Sequence, residues 1–416
     1  MGVRTHAPAA KRASSSNAIS SNVLSLKKSR KAAKSAGYLS SMRSRERHGS
    51  SHSIGVEPVV NIISEEYIAS IEFGGVPYDV LLDTGSSDTW LVQSGFTCVD
   101  INSTVLPEAD CSFGPVFNGT FSDGIIANQH FDAGYADGEF MNGAMGYENI
   151  TLAGISVKQE IALVNYTYWF GDEISSGLMG LAYPLLTSAY EGTGPSNSSS
   201  ETRVQYNPII PNLIAQGLME PVFSLSLQRN SSDGFLALGG LPPVNFTGAS
   251  ASTPILMYSF YTIVADAYIY EGSEKRTHVN TASWNSLFSD VVVNTTQFPV
   301  IVDSGTTLLY LPTEMYEDLI ALYDPPAIYI PEQFAAFAPC NASVPKLSIQ
   351  INGTVFPISE ADMLMQDVTD PDTGYCLIGP QDGTTGPYIL GDTFMNNVIS
   401  VFDVGASEMR FIAHDY

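Results

Sequence analysis

Two similar lobes built almost wholly of β-strands are what this 416-residue sequence predicts, and three observations carry that prediction. Short runs of β-branched and aromatic residues recur from Val56 onward, cut by Gly, Asn, Asp and Pro. Helical periodicity is sparse. An acidic turn, Val80-Leu-Leu-Asp-Thr-Gly-Ser-Ser87, returns as Val300-Ile-Val-Asp-Ser-Gly-Thr-Thr307, 220 positions later.

The strands are read at Tyr67–Phe73, Tyr78–Leu82, Ile150–Leu152, Phe223–Leu227, Ile263–Tyr270 and Val300–Val302. Pro208–Gln216 and Thr313–Leu322 are the two best helices, the second opened by Pro312. With 44% hydrophobic residues the chain is not globally disordered, and its length exceeds one ordinary core. Only 15% of residues are charged, against 35 Gly and 24 Pro, which favours sheets over a helical bundle. In each half an apolar pair later precedes glycine, at Leu178-Met179-Gly180 and Ile389-Leu390-Gly391. The expected division is a basic leader over 1–50, a first lobe over 51–220 and a second over 221–416.

Charge is split along the chain. Residues 1–50 hold 11 of the 18 Lys/Arg and one acid, about +10; the rest holds 7 against 42 acids, about −35. A body this acidic repels phosphate backbones, so nucleic acid is not an expected partner. Protonation in acid relieves its self-repulsion, although acidity also serves plain solubility. In the leader, Val23–Ala36 is read as a short basic helix, and Lys11-Arg12 and Arg43–Arg47 as exposed basic clusters. The leader is either a segment lying over an acidic cleft or a plain tail.

Asp83 and Asp303 each follow three apolar residues and so emerge at the end of a buried strand. Gly85 and Gly305 let the backbone approach and offer N–H groups, and the hydroxyls of Ser86 and Thr306 can donate to the carboxylates. Thr84 and Ser304 complete the two turns. Two such acids in contact cannot both ionise cheaply; they share a proton and can activate a water while protonating an amide oxygen. That chemistry needs no cofactor or metal. No C-x-x-C occurs and the six histidines form no metal cluster, so zinc is not expected.

With these motifs the sequence resembles the pepsin family of aspartic peptidases, over about Ile54 to Tyr416. Asp83-Thr-Gly-Ser-Ser-Asp-Thr-Trp90 and Asp303-Ser-Gly-Thr-Thr-Leu-Leu309 match its two signatures, the second with Ser304 where Thr is commoner. Gly177–Pro184 and Tyr388–Phe394 match the strands beneath the catalytic loops, and Gly217–Gly240 the crossover between lobes. The resemblance implies an all-β bilobal fold and an acid-active endopeptidase with Asp83 and Asp303 as its pair. It implies polypeptide substrates with apolar residues around the cut, pepstatin-like inhibitors, synthesis as a zymogen with its own propeptide, and a monomer. A catalytically silent binding or inhibitor protein on the same fold is the alternative, since fold does not fix function.

By the same resemblance the flap is a hairpin with Tyr135 and Gly138 at its tip and Trp90 as the indole partner. Asp137 is expected to admit Lys on the N-terminal side of the cut. The stretch Glu139–Gly143 is one residue longer than usual, and Ser176 stands where the family has an acid. The mature chain is expected to start near Ile54, with Lys34 of the leader near the two acids before that.

Cys98, Cys111, Cys340 and Cys376 form one close pair in each half, which in an oxidising compartment gives disulfides 98–111 and 340–376. Ten Asn-x-Ser/Thr sequons point to the secretory route. A secreted or vacuolar protein is therefore expected. Residues 1–30 show no signal-type apolar core, which conflicts with that expectation. No apolar run reaches the roughly 18 residues of a membrane span, and Phe411–Tyr416 is not an anchor tail.

Overall fold

The computed structural model describes residues 18–30, 65–135, 138–194, 202–229, 234–272 and 291–414. Strands dominate and helices are few and short. The fold is the all-β, two-lobed one expected.

A long sheet runs through both halves. In the first lobe, Glu65–Phe73 pairs with Val76–Asp83, which pairs in parallel with Gly177–Gly180. In the second, Pro299–Val302 pairs in parallel with Tyr388–Leu390, in a separate five-stranded sheet. The two copies thus repeat the same local topology: a strand ending in Asp, flanked by the apolar-apolar-Gly strand. The apolar triplets before each Asp are buried, with Val80 and Val300 fully so. Between the lobes lie Val222–Ser226 and Gly234–Leu238, joined to the C-terminal strands Val398–Asp403 and Glu408–His414. Both expected helices are present, at Ile209–Ala215 and Thr313–Leu322. Met145, Tyr310 and Phe394 are core residues, all buried.

Three local readings need correction. Of the segment read as a basic helix at Val23–Ala36, the described part lies in the strand Asn22–Arg30, and residues 31–36 are outside the described residues. The strand lies between Gly234–Leu238 and Glu65–Phe73, antiparallel to both. Two open strand edges satisfy its backbone on both sides, and Leu26 enters the core at 1% exposure. That pairing outweighs a weak helical preference. The second correction is at Ile263–Tyr270, which is two strands, Thr262–Val264 and Ala267–Glu271, in different sheets. The break falls at Asp266, whose N–H donates to Gln350 and whose carboxylate accepts from Gly353 N–H at 2.7 Å. The third is Ile150–Leu152, which is only the end of Phe140–Leu152. Gly143 and Gly146 hid that strand's alternation. They are there because the Leu163 carbonyl and the Phe121 ring occupy the space a Cβ would need.

Cys98 is bonded to Cys111 and Cys340 to Cys376. Among the described residues no helix is long and apolar enough to cross a membrane.

Candidate active site

The parallel strand pairs deliver Asp83 and Asp303 to the junction of the lobes. Both are nearly buried, at 6% and 9% exposure. Each carboxylate is held by its own turn. Gly85 N–H donates to Asp83 Oδ1 at 2.7 Å and Ser86 Oγ donates to Oδ2. Gly305 N–H donates to Asp303 Oδ1 at 2.9 Å and Thr306 Oγ1 to Oδ2 at 2.6 Å. These are the donors the sequence predicts, in matching geometry.

Thr84 and Ser304 tie the turns to each other. Thr84 Oγ1 donates to the Val302 carbonyl and accepts from Ser304 N–H. Ser304 Oγ donates to the Leu82 carbonyl and accepts from Thr84 N–H. The shorter hydroxyl of Ser304 makes both bonds without a threonine methyl.

The carboxylates face one another across this knot. A Cβ at Gly85 would come within 2.5 Å of Asp303 Oδ1, and one at Gly305 would strike Asp83 Oδ1. Only glycine lets each carboxyl pass the opposite backbone. Burial first, and then the charge of Asp303, push Asp83 well above the usual carboxylate range; Ser86 and Gly85 pull the other way. A carboxyl raised in this way favours the folded state most below the ordinary carboxylate pKa. That contribution is lost as pH rises through its folded value, so Asp83 adds to stability in acid.

The strands Ile125–Gly134 and Phe140–Leu152 form a hairpin over the site. Its turn is closed by Gly138 N–H donating to the Tyr135 carbonyl, with Gly138 at φ +94°. Trp90 Nε1 donates to Tyr135 Oη at 2.9 Å. Burial, with the charge of Asp83 next, holds the Tyr135 hydroxyl well above the usual phenol range. Asp137 lies outside the described residues, as do Lys34, Ile54, Lys11 and Arg43–Arg47. Beyond the hairpin, the pairing of Phe140–Leu152 with Ile155–Tyr168 slips by one residue at Asn165, between Asn142↔Tyr166 and Gly143↔Val164. Ser176 is buried, and its hydroxyl has no hydrogen-bond partner among the described residues.

Sequence reasoning missed several residues here. Trp169 stands edge-on to Trp90 at 5.2 Å and to Tyr135 at 5.9 Å, and stacks on Phe113. The rarity of Trp, three in the chain, was its only signal. Asp88 lies inside the first signature and is almost fully buried, yet its partners, Ser188 and Tyr206, are 100 and 118 positions away.

The family described as eukaryotic aspartyl protease matches residues 66–414. A curated protein of Aspergillus fumigatus named "Probable aspartic-type endopeptidase" is 38% identical over 358 residues, covering 83% of this chain and 78% of the relative. Pepsin A of Sus scrofa is 26% identical over 84% of this chain and 82% of its own length. Gastricsin of Homo sapiens is 27% identical over 86% and 84%.

Proposed function

The chain belongs to the eukaryotic aspartyl protease family and is an aspartic endopeptidase acting on polypeptides; on that premise we propose that Asp83 and Asp303 are its catalytic dyad. The observation that carries this reading is the placement of each carboxylate against the other's glycine, each with two donors from its own turn. A water bound between the carboxylates gives its proton to the ionised one as its oxygen attacks the scissile carbonyl. The protonated carboxyl donates to the carbonyl oxygen. Collapse of the tetrahedral adduct returns a proton to the amide nitrogen, which leaves as the amine. Tyr135 closes over the substrate, oriented by Trp90. Apolar residues around the cut suit a body with few cations.

Residues 51–220 and 221–416 are the catalytic lobes of this reading, and the N-terminal residues are an inhibitory propeptide. Its strand Asn22–Arg30 occupies the central sheet. Lys27 pairs with Asp79 at 3.3 Å, a surface contact worth little alone. Ser29 Oγ donates to Asp172 at 2.6 Å. Burial would raise the Asp172 carboxyl, but Ser29, Ser175 and Ile174 donate to it, and the result is a lowered pKa. A lowered acid contributes stability above its unfolded pKa and loses it as pH falls through the folded value. The strand's hold therefore weakens in acid, below about pH 4. Shifting the full chain from neutral to acid pH should yield a shortened N-terminus together with pepstatin-sensitive activity, and added salt should speed release. Full activity with residues 1–50 retained would refute the propeptide.

Passage through the secretory route fits the two disulfides and the exposure of sequon asparagines Asn102, Asn118, Asn149, Asn165, Asn245, Asn341 and Asn352. Asn294 is partly exposed, and Asn197 and Asn230 are outside the described residues. Secreted or vacuolar placement in an acidic medium follows from this reading.

A further inference from the structure

The flap hairpin is not free on its outer side. Its first strand, Ile125–Gly134, is paired by a third, Ala189–Glu191, in the register Ala189↔Phe131, Tyr190↔His130 and Glu191↔Gln129. A fourth, Arg203–Val204, pairs outside that one. Gly192 N–H extends the ladder to the Asn128 carbonyl at 3.0 Å. This added ribbon is too short to hold itself in place.

What fixes it is a buried acid two residues before Trp90. Asp88 is 3% exposed. Both of its carboxylate oxygens lie 3.0 Å from Ser188 N, and Tyr206 Oη donates to Oδ1 at 2.6 Å. Ser188 directly precedes the ribbon's first strand and Tyr206 lies two residues past its second; since Ala189 pairs with Val204, Asp88 holds the chain where it enters and where it leaves the ribbon, at one end. The grip continues into the flap, because the Ser188 carbonyl accepts from Asp132 N–H at 3.1 Å. Asp132 is three residues from Tyr135. On the other side, the Asp88 carbonyl accepts from Gly180 N–H at 2.9 Å, and Gly180 is the register partner of Asp83.

We propose that Asp88 is a positioning residue for the flap: through Ser188 and Tyr206 it fixes a brace that holds the flap strand, and so Tyr135, in register with the catalytic turn. The proposal deepens the peptidase reading, since it takes Tyr135 as the closing residue. Charged and titratable neighbours agree with the role. Tyr206 and Arg203 face Asp88 from the brace, Glu160 from the adjoining strand and Tyr135 from the flap. Burial raises the Asp88 carboxyl above its usual range, while the Tyr206 and Ser188 donors lower it. The hydrogen bonds persist whether the group is carboxylate or acid, because each needs only an acceptor oxygen. An asparagine offers one as well.

Amide hydrogen exchange on the full-length chain tests this without relying on turnover. Asp88→Ala should speed exchange about tenfold at residues 129–133, the scale of lost buried hydrogen bonds, and leave Val76–Asp83 and Val398–Asp403 unchanged. Asp88→Asn should restore protection. Tyr206→Phe, which keeps the ring and removes one donor, should show a smaller effect at the same amides, and it carries the test if Asp88→Ala does not fold. With an extended peptide, KM should rise more than kcat falls in Asp88→Ala. Unchanged exchange at 129–133, loss of protection spread evenly over the first lobe, or no rescue by Asn would overturn the proposal. A wild-type chain that cuts no peptide would instead overturn the catalytic reading and leave the exchange result standing.

Discussion

Asp83→Asn is expected to lower peptide hydrolysis by about 10³-fold or more while the protein stays folded, because in the proposed mechanism Asp83 and Asp303 work as one acid–base unit. An asparagine in that place still accepts from Gly85 N–H and fits the same space, so the turn survives. What it cannot do is exchange a proton with a water. Asp303→Asn should cost about as much, since Gly305 and Thr306 hold it in the same way. The double variant should be scarcely worse than either single one, as expected when two groups perform one step. Retention of near-wild-type turnover in either single variant would end the assignment. The same variant should also change stability with a definite sign. Asp83 is a carboxyl raised by burial and by Asp303, so its favourable contribution fades as pH climbs. Asparagine stays neutral throughout. The melting temperature of Asp83→Asn should therefore gain on the wild type between about pH 4 and pH 7, measured on chains with the same N-terminus.

The paired acidic turns were legible because the sequence states them twice. Each copy sets three apolar residues before an Asp and a glycine two positions after it, and strand ends and close turns are local properties that sequence records. The strand Asn22–Arg30 was not legible in this way. Its residues, with two adjacent lysines and alternate polar positions, carry no strong period; the strand exists because Glu65–Phe73 and Gly234–Leu238 leave edges for it. The break at Asp266 was hidden because a continuous β-prone run serves two sheets. Asp88 was hidden differently. Its residue type suits a turn equally well, and only the fold brings Ser188 and Tyr206 to it.

A second case of distant partners supplies the largest expected loss of stability. Arg229, in the crossover between the lobes, reaches Asp362 with two nitrogens: Nε donates to Oδ1 at 2.8 Å and Nη2 to Oδ2. The side chains are only 13% and 3% exposed. Asn396 and Asn397 also donate to Asp362, and Tyr67 of the first lobe donates to Asn396 Oδ1 at 2.7 Å. Removing one partner strands a buried charge and several donors. Asp362→Ala should therefore cost about 3–5 kcal/mol in denaturant unfolding, and Arg229→Ala a similar amount. Replacing both with apolar residues, Arg229→Met with Asp362→Leu, should recover much of either loss, because the desolvation of two ions disappears with them. The loss should also reach the site. Asn397 Nδ2 donates to the Thr393 carbonyl, Thr393 N–H and Oγ1 donate to Thr307, and Asp392 N–H donates to the carbonyl of Thr306, whose hydroxyl holds Asp303. The single variants should accordingly lose kcat as well as stability at a temperature where they remain folded. Single-variant costs below about 1 kcal/mol would show the pair to be no stronger than an exposed one, and the link to Asp303 would fall with it.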